Sequence, residues 1–280
     1  SVILDAVVPP GLAFGPSMAL DAEAALRASL ARCAADARCA ERFGDLDAAF
    51  DALRARLAQG PVRVAFSDPV SGEAREVDFQ ASHLSLAVRM LSYSGLTAGL
   101  LPLFIHEAQA KGNFAPLAAQ AEMLAGQLGD MLAYGMHNAV VCTEDLPFVD
   151  RDLVDRDALR RSYIGETMLE GLDAMCSVWP RGMLDEDRRP PPAWAVRALR
   201  LPGALDPVTP PVYGAQAAAG FRDHLHVVFE GQGHIQLGLR CAQTLLRRFL
   251  DAGTAQGLDT ARVGDVRPGP FFLGFNGGAP

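Results

Sequence analysis

The sequence predicts an α/β fold: a parallel sheet flanked by helices, with a mostly helical segment that carries one β-hairpin inserted into it. Three observations lead there. The chain opens on an apolar run, Ser1-Val2-Ile3-Leu4-Asp5-Ala6-Val7-Val8, of the kind a strand covered on both faces needs. From residue 195 the pattern becomes strand, loop, helix, strand, loop, helix, the alternation that builds parallel sheets. Between these, residues 17–140 are dominated by apolar positions at helical spacing. With 280 residues, 50% hydrophobic and 21% charged, there is material for a sizeable core.

The elements follow in order. After the Pro9-Pro10-Gly11 breaker, residues 21–34 and 45–58 read as helices with acidic residues in their first turns, where the helix dipole favours them. Residues 62–66 and 75–79 flank Asp68-Pro69-Val70-Ser71-Gly72 and read as a hairpin. Helical spacing resumes at 82–91, 98–110 and 116–134. A second strand-like run, Ala139-Val140-Val141-Cys142, leads into Thr143-Glu144-Asp145. A further helix covers 155–175, ending near Cys176-Ser177-Val178-Trp179-Pro180, and Arg188-Arg189-Pro190-Pro191-Pro192 reads as a connector. Strands at 195–201 and 225–229 alternate with helices at 211–220 and 237–253, and the Gly- and Pro-rich final stretch reads as an irregular tail. This organises the chain as an opening core strand and loop (1–16), a helical insertion (17–140), a connection back to the core (141–193) and a terminal core segment (194–280).

Charge and composition exclude some partners. A net charge of -8, with Lys111 the only lysine, argues against nucleic acid, since phosphate binding needs clustered cations. The longest apolar runs, such as 100–105, fall far short of the ~20 residues a membrane span requires. No cofactor or metal is expected. Cys33 and Cys39 lie at a spacing that a chain reversal can close into a disulfide, whereas zinc sites favour tighter pairs with companions. A small buried apolar residue remains the plainer reading of any one of the five cysteines.

The chemistry gathers at the ends of two predicted strands, in Leu205-Asp206-Pro207-Val208-Thr209-Pro210-Pro211 and Gly231-Gln232-Gly233-His234. In doubly wound sheets functional groups collect outside the carboxyl ends of strands. Asp206 alone reads as a turn former and His234 alone as a loop histidine. Together they stand in the chain order acid, then base, of a hydrolase triad whose nucleophile comes first. A carboxylate at 206 can fix the tautomer of His234, which then serves as general base. Upstream there is no G-x-S-x-G. Ser17 and Ser94 are the nearest approaches, but neither falls on the strand-to-helix turn that exposes a nucleophile beside an oxyanion hole. His83, His106, His137, His224 and His226 read as structural.

These motifs, with Gly203-x-x-Asp206-Pro207-Val208-Thr209-Pro210-Pro211 and Gly231-x-Gly233-His234 at their centre, resemble the tripeptidyl aminopeptidase-like α/β-hydrolases, relatives of the proline iminopeptidases. Val2-Ile3-Leu4-Asp5-Ala6-Val7-Val8-Pro9-Pro10, Cys142-Thr143-Glu144-Asp145 and Cys176-Ser177-Val178-Trp179-Pro180 are similar to other passages of that family. The resemblance implies the C-terminal part of an α/β-hydrolase, with residues 17–140 as its cap. It also implies that an N-terminal part carrying the oxyanion loop and a Gly-x-Ser-x-Gly elbow belongs to the parent protein.

The resemblance further implies that Glu144 binds the free α-ammonium of a peptide substrate. Asp145 adjoins it as a second candidate, with a turn acid or helix N-cap as its plainer reading. It implies disulfides Cys33–Cys39 and Cys142–Cys176. Arg262 stands where a partner for Cys241 is expected, which leaves Cys241 free. Oxidised cysteines point to a periplasmic or secreted protein. The expected activity is that of a serine exopeptidase releasing short peptides from free N-termini through an acyl-enzyme, with the fragment inactive by itself. An esterase or lipase-like hydrolase of small acyl substrates, and a non-catalytic hydrolase-like binding protein, are the alternatives.

Overall fold

The computed structural model describes residues 1–184 and 194–278; the Arg188-Arg189-Pro190-Pro191-Pro192 connector lies outside the described residues. In chain order the elements are strand β1 (Val2–Leu4), helices α1 (Pro16–Ala35), α2 (Ala37–Phe43) and α3 (Leu46–Ala58), and strands β2 (Val62–Ser67) and β3 (Ala74–Phe79). Helices α4 (Ala81–Leu91), α5 (Gly95–Ala98), α6 (Leu101–Lys111), α7 (Ala115–Met131), α8 (Tyr134–Val140), α9 (Arg156–Arg161) and α10 (Thr167–Val178) follow. Then come β4 (Trp194–Arg200), α11 (Pro211–Ala217), β5 (Phe221–His226), α12 (Arg240–Ala252), β6 (Phe272–Gly274) and β7 (Gly277–Gly278). The chain divides into two compact units, Ser1–Ala22 with Gly135–Pro268, and Glu23–Tyr134 with Gly269–Pro280.

The first unit is the α/β part. Its sheet has the order β1-β4-β5, all parallel, with Leu4 beside Arg200 and Arg200 beside His226. Ala242, Leu245 and Phe249 lie on one face of α12 and are buried with Leu199, Leu201, Val227 and Phe229, so an amphipathic helix closes one side of the sheet. β5 runs earlier than the 225–229 expected from the sequence. The chain beyond it still tracks β4, through a parallel bridge of Phe229 with Gly203.

The strand expected at 139–142 is helical. Residues 134–140 form α8 and Val141–Asp145 a π-helical turn. A short apolar run does not distinguish a strand from a helix, and here tertiary packing decides. Val141, Cys142 and Thr143 turn inward, Cys142 bonds to Cys176 on α10, and the Gly182 amide donates to the Thr143 hydroxyl. Cys142 and Cys176 sit in a second core with Ala19, Leu146, Leu159, Leu169 and Leu172. The helix expected over 155–175 is two helices, interrupted near Gly165, whose φ of +70° belongs to the left-handed region that glycine adopts freely.

The second unit is helical with one antiparallel hairpin, β2–β3, in the register Val64 to Val77. Val64 and Phe66 are buried, whereas Arg63 on the other face pairs with Glu76 and Asp78. α3 starts because the Asp45 side chain accepts from the Ala48 amide, and it buries Leu46, Phe50, Leu53 and Leu57 along one stripe. The reversal at Asp36, whose carboxylate caps α2, brings Cys33 and Cys39 into a disulfide.

Three expectations are corrected around this unit. α1 begins at Pro16 rather than 21, with no acid in its first turn, since proline suits the first helical position. The run 98–110 splits into α5 and α6 at Gly99, where an added Cβ would meet the Pro270 carbonyl at 2.5 Å. The terminal tail is ordered into the β6–β7 hairpin, with the Arg32 guanidinium 4.4 Å over the Phe271 ring.

Candidate active site

Asp206 and His234 meet in the α/β unit. Asp206 follows β4 in a loop whose turn is made by its own side chain: Oδ1 accepts from the Val208 and Thr209 amides at 2.8 and 2.9 Å. Oδ2 accepts from the Thr209 hydroxyl at 2.7 Å and from His234 Nδ1 at 2.9 Å. The carboxylate is 2% exposed, so these four bonds replace its lost water. Burial by itself would raise its pKa, but the hydrogen bonds from His234 and Thr209 hold it below the usual carboxylate value. With Nδ1–H committed to Asp206, the neutral ring carries its basic lone pair on Nε2.

The loop bearing His234 is fixed from both sides. Gly203 lets the acid loop pass directly over it, because a Cβ there would lie 1.9 Å from the Gly233 carbonyl oxygen and 2.5 Å from that of Gln232. The Leu205 amide donates to Gln232 O, and Gln236 Nε2 donates to Gly233 O. Beyond His234, the amides of Gln236 and Leu237 donate to the carboxylate of Asp5, just past β1. Ile235 adopts φ +69°, a strained value for a β-branched residue, and turns the chain there.

The other candidates fall elsewhere in the local structure. Asp145 is half-buried and accepts from the Phe14 amide at 3.1 Å. Glu144 is half-buried in the π-helical turn before it. Ser94 caps α5, accepting from the Leu96 amide. His83 accepts from the Gln80 amide and has Glu122 at 3.6 Å, an acidic partner the sequence pattern does not reveal. His137 packs edge-on to Phe14 and His106 against Phe43. His224 and His226 lie within β5 rather than at the start of a strand. Among the described residues no group of three or more His, Cys, Asp or Glu side chains is placed to hold a metal ion.

Sequence reasoning missed Thr209, Asp5 and Gln236. The Asp-x-x-Thr spacing carries the signal for Thr209, as a self-bonded turn. Asp5 and Gln236 are 231 positions apart, and no local pattern joins them.

The model of the family described as TAP-like protein matches residues 161–262, a stretch that contains both Asp206 and His234. No curated protein matches the chain.

Proposed function

We propose that this chain, whose residues 161–262 match the TAP-like protein family, is part of a tripeptidyl aminopeptidase-like α/β-hydrolase and carries the acid and base of a serine exopeptidase that removes short peptides from free N-termini. The observation that carries this reading is the His234 Nδ1 to Asp206 hydrogen bond, made by a carboxylate whose remaining acceptor sites are filled by Val208 and Thr209. His234 takes the proton of an attacking serine and returns it to the leaving amine. Asp206 holds the tautomer and stabilises the imidazolium between the two steps. The serine lies outside these 280 residues, which contain no G-x-S-x-G. Glu144 supplies a carboxylate for the substrate α-ammonium, and a blocked peptide offers it no cation. Two disulfides, with no described helix long and apolar enough to cross a membrane, fit a periplasmic or secreted setting.

The test uses chromogenic tripeptidyl anilides with a free N-terminus and a serine-directed fluorophosphonate. The 280-residue chain should neither turn over the anilide nor take up the label; turnover by it alone overturns the external nucleophile. Activity of the chain joined to its upstream coding region should fall by about 10⁶-fold on His234→Ala. Retained activity in that variant removes the triad assignment. Glu144→Gln should impair peptide cleavage far more than cleavage of neutral esters, and equal loss on both favours an esterase.

A further inference from the structure

A second polar chain lies beside the Asp206–His234 pair, inside the same unit. The Tyr213 hydroxyl donates to Asp21 Oδ2 at 2.5 Å, and its oxygen accepts from the Ser17 hydroxyl. Tyr213 is 7% exposed and sits in the first turn of α11, directly after the Asp206-Pro207-Val208-Thr209-Pro210 loop. Its amide donates to Pro210 O. Ser17 and Asp21 are one turn apart on α1 and therefore share a face. Asp21 is close enough to Asp206 for the two charges to act on each other. Burial raises the Asp21 carboxyl, the Tyr213 hydrogen bond lowers it, and the charge of Asp206 raises it again. Tyr213 is pushed up to about 12 by burial first and by Asp21.

The arrangement has two physical consequences. The Tyr213 anchor fixes the exit of the acid loop, so Thr209 and Asp206 are held from beyond the turn as well as within it. A second negative charge near Asp206 also favours any positive charge that forms on His234, because the interaction falls off slowly in a partly desolvated site. Asp206 and Thr209 face His234, and Tyr213, Ser17 and Asp206 face Asp21.

We propose that Asp21 is a positioning residue for the Asp206–His234 pair: through Tyr213 it anchors the acid loop, and with Asp206 it favours the imidazolium form of His234. This rests on the triad reading above. The role is one of charge and geometry, with no proton passing from Asp21 to His234.

The experiment is an NMR pH titration of the histidine rings in the 280-residue chain, with the His234 signals assigned by their loss in His234→Ala. Asp206→Asn should lower the His234 midpoint by about one pH unit or more, and Asp21→Asn by about half a unit, roughly threefold in its acid constant. Tyr213→Phe keeps the ring packing, removes the donor that keeps Asp21 ionised, and should shift His234 in the same direction by less. A folded Asp21→Asn, or if that variant does not fold a folded Tyr213→Phe, with an unmoved His234 midpoint overturns the proposal. An unmoved midpoint in folded Asp206→Asn overturns the triad reading instead, so the two failures are distinguishable.

Discussion

Ala6 and Ile235 have φ of +66° and +69°, and both flank the hydrogen bonds from the Gln236 and Leu237 amides to Asp5. Left-handed backbone costs an L-residue about 1–2 kcal/mol, part of which a glycine would return to the unfolded chain as entropy. Ala6→Gly should therefore stabilise by up to about 1 kcal/mol, read as a higher denaturant midpoint at unchanged m. Arg200 is the opposite kind of strain. It is 1% exposed, its NH1 donates to the Gly214 carbonyl, and among the described residues its Nε has no partner; His226 stands opposite it in register, with Nδ1 also buried and without a partner among the described residues. Because a buried unpaired cation costs more than an apolar side chain of similar size, Arg200→Leu should raise stability by about 2 kcal/mol. A fall of that size would reveal an anionic partner for Arg200. Burial, then Arg200 and His224, hold His226 below its ordinary value near 6.5. Above that value the ring is neutral whether folded or unfolded and contributes nothing. Below it the unfolded chain takes a proton that the folded chain resists, so stability falls as pH drops. Denaturation series at several pH values should show this fall, and Arg200→Leu should make it shallower.

At the scale of elements, the contact between the acid loop and the histidine loop is the most sensitive. A Cβ on Gly203 would overlap the Gly233 carbonyl, which is backbone and cannot swing aside. Gly203→Ala should cost about 3 kcal/mol and displace the His234 ring resonances. An unchanged His234 spectrum would mean the two loops separate easily. The same elements show what was readable in advance. The β2–β3 hairpin follows from alternation, with Val64 and Phe66 inward and Arg63 outward, and α3 from its Asp45 cap and apolar stripe. Asp206 and His234 were legible because each sits in a short motif after an apolar run. The helix at 139–142 was not, because four apolar residues fit either periodicity and the buried Cys142–Cys176 link lies 34 residues apart in sequence. The break at Gly99, where Pro270 approaches, and the separate anchoring of Tyr213 on Asp21 are both long-range approaches that no local window contains.

For the whole molecule, the cysteines connect fold, stability and setting. Each unit carries one disulfide, Cys33–Cys39 in the helical unit and Cys142–Cys176 in the α/β unit, and Cys241 is a free thiol. Sequence separations of 6 and 34 residues restrict the unfolded chain unequally. In the chain-entropy account the shorter loop contributes about 2 kcal/mol and the longer about 4 kcal/mol. Replacing Cys142 and Cys176 with alanine should thus lower the denaturation midpoint of the α/β unit more than the Cys33 and Cys39 pair lowers that of the helical unit. The Cys142–Cys176 bond also ties the π-helical turn bearing Glu144 to α10, so its loss should loosen the residue proposed to bind substrate before it disturbs the Asp206–His234 hydrogen bond. Thiol counting in denaturant checks the premise directly: one reactive thiol without reductant and five with it. Three or five without reductant would remove one or both disulfides, and with them the physical argument for an oxidising compartment.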